Sequence, residues 1–385
     1  MREANPVFYD AAWDKIFFTR YEDVAALLKD RRLGRSILHV LSREELGWPP
    51  PDPRQADFDR FQSNVFMDWE PPDHTRIRAL VSKVFTPKRV EGLRPRLEAA
   101  ALHLIATIEG GGPADLVRQV AEPLPVSMIS DLLGVPEEGR DLLRPWSAAI
   151  VKMYELGFTE QEQAAASRAA REFMDYIDRL ARERRQRPQD DLISALVQVE
   201  EAGERLSAEE LQATCIFRLN AGHEASVNGA SLGLWSLFRN PGQWARLVHA
   251  ANARDGAEVI RSTVEEMLRF ETPLPMFERW VLEDCDHRGI HLARGGEVAL
   301  LYISGNRDPR RFDRPDDMDV TRLDNLHLTF GLGTHYCLGA PLARLELQVL
   351  FRTLARRVPT LHPAGDAEFN KGFVIRGLRT LPVAA

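Results

Sequence analysis

Phe330-Gly331-Leu332-Gly333-Thr334-His335-Tyr336-Cys337-Leu338-Gly339 decides how the rest of the chain is read. Gly331 and Gly333 let the backbone turn tightly and come close to another group, because neither carries a Cβ. A helical pattern follows through Leu342, Ala343 and Arg344, so the sequence predicts Cys337 at the start of a helix. The free N–H groups and positive dipole end of a helix favour a thiolate over a thiol. A thiolate held under glycine-lightened backbone suits the axial position of a large flat cofactor. A lone cysteine is more often a small buried hydrophobe. Against that reading, Phe-Gly-x-Gly-x-His-x-Cys-x-Gly fixes six positions in ten.

Composition bounds the rest. The chain has 385 residues, 44% hydrophobic and 28% charged, which is ordinary for a globular enzyme with a sizeable core. A formal charge of −7 argues against nucleic acid or an anionic membrane as the main partner. Cys215, Cys285 and Cys337 lie far apart, form no disulfide framework and suit a reducing cytosol. No C-x-x-C is present, which removes zinc ribbons, thioredoxin-like motifs and covalent c-type haem attachment. The first residues, Met1-Arg2-Glu3-Ala4-Asn5-Pro6, do not read as a signal peptide. No window reaches the ~18 apolar residues of a membrane span, so the expectation is a soluble cytoplasmic protein.

Helical patterns dominate the middle of the chain. Trp13 to Phe18 reads as a strand, with Thr19 capping a helix from Tyr21 to Lys29. Asp73 opens a helix that runs to Val84, and Glu160 to Arg187 forms a charged helix with one apolar face. Ser207-Ala208-Glu209-Glu210 is a capping box, and the helix it starts is predicted to run to Arg239, where Asn240-Pro241-Gly242 stops it. Ala257 to Phe270 is a further helix, ended by Pro273 and Pro275. Glu278 to Leu282 and Glu297 to Tyr302 read as strands, and Gly372 to Val383 as a terminal hairpin. With no repeat, low-complexity tract or linker, residues 1–385 read as a single domain, mainly α with small β-sheets.

The cysteine stretch resembles the haem-binding loop of the cytochrome P450 family. Three further motifs stand in that family's order: Pro71-Pro72-Asp73-His74-Thr75-Arg76-Ile77-Arg78, Ala221-Gly222-His223-Glu224-Ala225-Ser226, and Glu266-Met267-Leu268-Arg269. The resemblance implies the cytochrome P450 fold with a long central helix over the haem, and haem b (iron protoporphyrin IX) as cofactor. It makes Cys337 the iron ligand. It makes His74, Arg78, Arg279 and His335 the partners of the haem carboxylates, and places Ala221, Phe330, Gly331 and Gly339 against the ring. Residues i and i+3 share a helix face, so Glu266 can pair with Arg269. In the family such a pair is a structural support behind the cysteine loop, joined by a basic residue for which Arg322 is a candidate.

The distal motif departs from the family at one position. His223-Glu224 lacks the second histidine of H-E-x-x-H, since residue 227 is Val, so a zinc protease is excluded. Gly222 in mid-helix costs about 1 kcal/mol relative to Ala, which suggests a close approach or a local opening. The family's acid–alcohol pair becomes Glu224 and Ala225, without the alcohol. Ser226 is turned ~100° away on a helix. The resemblance makes Glu224, Ala225 and Cys337 the catalytic set, with substrate or ordered water supplying the missing hydroxyl; the rival reading of Ala225 is poor coupling, or chemistry without the usual proton relay. Phe217, Asn220, Ala221 and Glu224 share one face; with Leu274, Pro275, Met276 and Phe373 they form the expected substrate wall. Phe66 and Val374 are weaker candidates.

The reading is a bacterial haem-thiolate monooxygenase that hydroxylates or epoxidises a small hydrophobic substrate. Gly331-x-Gly333 lacks the third glycine of a nucleotide-binding fingerprint, so electrons come from a separate ferredoxin or flavodoxin. Arg76, Lys83 and Arg344 are candidates for its docking surface. The expected state is a monomer, with no nucleic acid or membrane partner. Two other classes fit the sequence: a haem protein with a sensor or recruitment role, and a helical scaffold without cofactor.

Overall fold

The N-terminal strands are completed by residues far along the chain. In the computed structural model, which describes residues 2–155, 157–200, 203–372 and 374–385, Val7–Asp10 and Lys15–Phe18 form an antiparallel pair. Lys15–Phe18 then lies parallel to Glu297–Leu300, with Ile16 opposite Val298, and Glu297–Leu300 pairs antiparallel with Phe277–Val281. Leu33–Gly34 closes this five-stranded sheet. Side chains alternate across a strand, so Arg279 and Val281 point inward together, one polar and one apolar. Phe18, Val24, Leu27, Val281, Val298, Leu300 and Tyr302 make the core beneath the sheet. Thr19 does not cap the first helix, Tyr21–Leu27: its hydroxyl donates to the carbonyl of Pro6. Asp308 takes the capping role instead, accepting from the N–H of Tyr21 at 2.9 Å.

The helical part is arranged around Ala208–Arg239. Both halves of the Ser207–Glu210 capping box form. Thirty-two residues make a helix about 48 Å long. It is buried on nearly every side against Pro123–Leu133, Glu160–Gln186, Ala257–Phe270 and Ala340–Arg357. Ala221 is nevertheless exposed, and Gly222, Glu224 and Ala225 are half exposed. Exposure in the middle of a helix packed on all sides means an internal opening. The reason for Gly222 is a close approach: a Cβ there would stand 2.8 Å from the Ile129 side chain.

The C-terminal segment is not a self-contained hairpin. Leu378–Thr380 pairs with Glu368–Phe369, while Pro382–Ala384 lies between Ala114–Asp115 and His362–Pro363. Leu381 breaks the run by donating its N–H to the Asp115 carboxylate at 3.0 Å, and Pro382 has no N–H to continue a ladder. Just before these strands, Gly377 lies so close to the long helix that a Cβ would sit 1.5 Å from Asn228 Oδ1. Among the described residues no helix is long and apolar enough to cross a membrane.

Candidate functional site

Gly331 (φ 67°) and Gly333 (φ 72°) both adopt the left-handed conformation that a side chain disfavours. Their turns fold the loop back on itself, so the Cys337 N–H donates to the carbonyl of Phe330 at 2.9 Å. Helix Ala340–Arg357 begins three residues after Cys337, with Gly339 as its N-cap and Pro341 in its first turn. The cysteine thus sits ahead of the helix rather than in it. Burial pushes its thiol pKa up; the N–H groups of Gly339 and Ala340 and the charges of Arg218 and Arg78 pull the other way without winning. Left to itself the group is a thiol. A metal cation bound in place of the proton would ionise it.

Behind the loop, Glu266 and Arg269 are fully buried and paired through two hydrogen bonds, of 2.7 and 2.8 Å. Glu266 also accepts from the Asp319 N–H at 2.8 Å, Asn325 Nδ2 at 3.0 Å and Arg322 Nε at 3.2 Å. Arg322 is therefore the third member of the pair. Arg269 donates in turn to the carbonyls of Asn306 and Pro315. The network pins the irregular segment 306–325 to helix Ala257–Phe270.

A cluster of nitrogen donors forms along one edge. Helix Asp73–Val84 presents His74 and Arg78 one turn apart. The His74 and His335 rings are 4.5 Å apart, and Arg78 donates to the carbonyl of Tyr336 at 2.7 Å. Burial pushes His74 down to about 4 and lowers His335 and Arg279 as well. Both ring nitrogens of His74, Nδ1 of His335 and Nη1 of Arg78 are buried without a partner. Two residues missed by the motifs complete the edge. Arg35 stacks on Phe277 at 4.3 Å and pairs with Asp68 at 3.2 Å. Glu70 accepts from the Arg35 N–H and lies 3.3 Å from His335.

On the opposite side stands the opening at Ala221. Glu224 is half buried, and burial raises its pKa. Ser226 is turned away, as its position on the helix requires: its hydroxyl donates to Glu346 Oε2 at 2.9 Å. Glu346 lies on the helix that follows Cys337, and burial pushes its pKa up to about 7. Asn220 is only 2% exposed, and neither its Oδ1 nor its Nδ2 has a partner.

A family model described as Cytochrome P450 matches residues 141–358. Across its full length the chain is 36% identical to the polyketide biosynthesis cytochrome P450 PksS of Bacillus subtilis, covering 93% of that protein. It is also 36% identical to the 6-deoxyerythronolide B hydroxylase of Saccharopolyspora erythraea, over 100% of this chain and 94% of the relative. The solved structure of P450BioI in complex with a hexadec-9Z-enoic acid ligated acyl carrier protein matches with a TM-score of 0.90. That match has 33% identity over 100% of this chain and 96% of the other. This chain belongs to the cytochrome P450 family.

P450s carry haem b, and this one has the side chains to hold it. Haem brings two carboxylates, which need donors and positive charge when buried. Arg78 brings positive charge, and the unpartnered ring nitrogens of His74 and His335 bring places for an N–H donor. Gly339 leaves the space beside the sulfur open: the nearest atom to a Cβ built there would be Cys337 Sγ, at an ordinary contact distance of 3.7 Å. Phe330 is half buried with the Arg344 guanidinium 4.4 Å from its ring centroid. Leu274, Pro275 and Met276 are half buried in the segment leading into strand Phe277–Val281, and Phe217 is half buried on the long helix. Phe66 is buried, its ring centroid 5.9 Å from that of His74. Phe373 lies outside the described residues.

The three basic groups expected to dock an electron carrier are already committed. Arg76 pairs with Glu210, Arg344 makes two hydrogen bonds to Glu265, and Lys83 donates to the carbonyl of Glu200. Burial raises the Glu265 pKa, but the bonds from His327 and Arg344 more than offset it and hold that carboxyl down at about 2. Arg218 and Glu346 were also missed. The signal for Arg218 was available: it is a charge inside the apolar run Cys215-Ile216-Phe217-Arg218-Leu219.

Proposed function

We propose that this P450 monooxygenase hydroxylates or epoxidises a small hydrophobic substrate that carries a hydroxyl or similar polar group. The observation that carries the reading is the distal face: Ala225 offers no hydroxyl, and the hydroxyl of Ser226 is already donated to Glu346. Haem, when bound, supplies oxygen activation and insertion; the chain supplies position, dryness and protons. In this reading Cys337 ligates the iron. His74, Arg78, Arg279 and His335 hold the two carboxylates, with Phe330, Gly331, Gly339 and Ala221 shaping the slot. Glu266, Arg269 and Arg322 brace the loop from behind.

Glu224 is half exposed beside the opening and burial raises its pKa, so it is the carboxyl that passes protons there. The gap at Ala225 is bridged by ordered water fixed on the substrate's own hydroxyl. Phe217, Leu274, Pro275 and Met276 form the apolar wall, and Asn220 bonds the polar group through its two unpartnered atoms. The names of two relatives, a polyketide biosynthesis P450 and a 6-deoxyerythronolide B hydroxylase, make oxygenated polyketides the first class to screen. We take the 385-residue chain to be one domain and a monomer in the cytoplasm, reduced by a separate ferredoxin or flavodoxin.

The test is Ala225→Thr, assayed with a substrate found by spectral binding and a surrogate redox partner. Coupling of electron use to product should stay within about twofold of wild type. A large gain from the added hydroxyl would refute substrate-assisted proton delivery. The absence of any oxygenated product across hydroxylated polyketides, terpenoids and fatty acids would refute the substrate class.

A further inference from the structure

Arg218 is a charge that none of the roles above uses. It sits in mid-helix, and Nη2 of its guanidinium is buried without a partner. No carboxylate pairs with it among the described residues. Its Cζ lies 3.4 Å from the centroid of Phe85, which caps the C-terminus of helix Asp73–Val84. That contact fixes where the guanidinium stands. His74 lies at the other end of the same helix, and eleven residues of helix span about 16 Å. Arg218 therefore stands by the opposite end of that helix from His74.

Its face of the long helix says what it does face. Arg218, Ala221 and Ala225 follow one another at i, i+3 and i+7, and so share one side. Ala221 is exposed to the internal opening and Ala225 is half exposed to it. The anionic candidates near Arg218 are Cys337, Cys215 and Glu346. Cys215 is a fully buried thiol pushed up to about 12 and carries no charge. Glu346 accepts from Ser226 through Oε2, and burial pushes its pKa up to about 7, so it is only partly charged at neutral pH. The remaining group is the ligand sulfur. A charged side chain kept inside a protein without a partner is costly, and the cost is recovered only where an opposite charge is brought to it.

We propose that Arg218 is an electrostatic positioning residue for the Cys337-ligated haem, offsetting the negative charge the centre gains on accepting one electron and so setting its reduction potential. The step is a one-electron transfer from an external carrier to ferric iron, giving ferrous iron, with no bond made or broken and no proton moved. A fixed cation in a low-dielectric interior favours the more negative, reduced form. Removing it lowers the potential and narrows the range of carriers able to drive the enzyme. The inference rests on Cys337 being the iron ligand.

Anaerobic redox titration of the purified, substrate-free holoenzyme tests it, with dithionite as the electron source and Arg218→Leu, Arg218→Gln and Arg218→Lys as variants. Leu and Gln should shift the reduction equilibrium toward ferric haem by on the order of tenfold, which is about 59 mV for one electron. Lys keeps the charge and should stay near wild type. If Arg218→Leu does not retain haem, Gln against Lys makes the same comparison. Equal potentials in Gln, Lys and wild type, or a Lys variant that falls as far as Gln, would overturn the proposal. A wild-type reduced carbon monoxide complex without a thiolate-type Soret band would instead mean that Cys337 is not the ligand.

Discussion

Substituting Glu266 by Gln is the sharpest way to ask whether the brace behind the cysteine loop holds the site up. The carboxylate accepts five hydrogen bonds, from Arg269 twice and once each from Asp319, Arg322 and Asn325. Both Glu266 and Arg269 have no solvent exposure, so water cannot replace what is lost. Glutamine keeps the size but turns one oxygen into an NH₂ group that meets donors. Arg269 is then a buried cation without a counter-charge, which costs about 3–5 kcal/mol. A domain's total stability is about 5–15 kcal/mol, so about a fifth or more goes with one atom. Urea unfolding, followed in parallel by far-UV circular dichroism and Soret absorbance, should show both midpoints fall together. Glu266→Leu with Arg269→Met should recover part of the loss, because no charge is left stranded. A Glu266→Gln protein with an unmoved midpoint and full haem content would refute the argument.

Three further outcomes follow from buried groups. Glu346 has a folded pKa of about 7 against an ordinary 4.5. The unfolded chain therefore loses that proton first, and stability falls as pH rises from about 4.5 to about 7, by about 3 kcal/mol. Glu346→Gln should be progressively more stable than wild type over that window in urea titrations, and a gain that grows toward acid would contradict the sign. Asn220→Val should stabilise the free protein by about 1–3 kcal/mol, since two unpartnered polar atoms are removed. It should weaken spectral binding of a hydroxylated substrate roughly three- to tenfold; tighter binding would remove Asn220 from the substrate wall. Gly377→Ala should destabilise the fold by about 1–3 kcal/mol through its clash with Asn228, seen as a lowered melting temperature, and Asn228→Ala in the same chain should restore it.

What was legible in the sequence is what local pattern encodes. The two glycines at 331 and 333, the cysteine between them and a helix, and a carboxylate three residues before an arginine all have chemistry that short spacing reveals. The long helix declared itself by its capping box and by the Asn240-Pro241-Gly242 stop. Ala225 was readable because the distal motif around it is contiguous. The unseen parts depend on pairs far apart in the chain. Ser226 and Glu346 are 120 residues apart, and Glu70 and His335 are 265 apart. No periodicity links such positions. The tail was misread for the same reason: its strands find partners at 114–115 and 362–369 rather than in each other. The carboxylate partners of Arg76 and Arg344 were unseen because a sequence shows a charge but not the neighbour paired with it.

The bond between Ser226 and Glu346 ties the helix above the porphyrin to the helix that begins beneath it. The protein thereby fixes the headroom of the slot itself, rather than leaving it to the thickness of whatever slides in. Oxygen-side and sulfur-side geometry are then two readings of one spacing. A substitution that lifts the upper helix also shifts the lower one, and with it the footing of Cys337. Changes made on the two faces should therefore not add, and the size of that departure in a double-mutant cycle measures how stiff the fastening is.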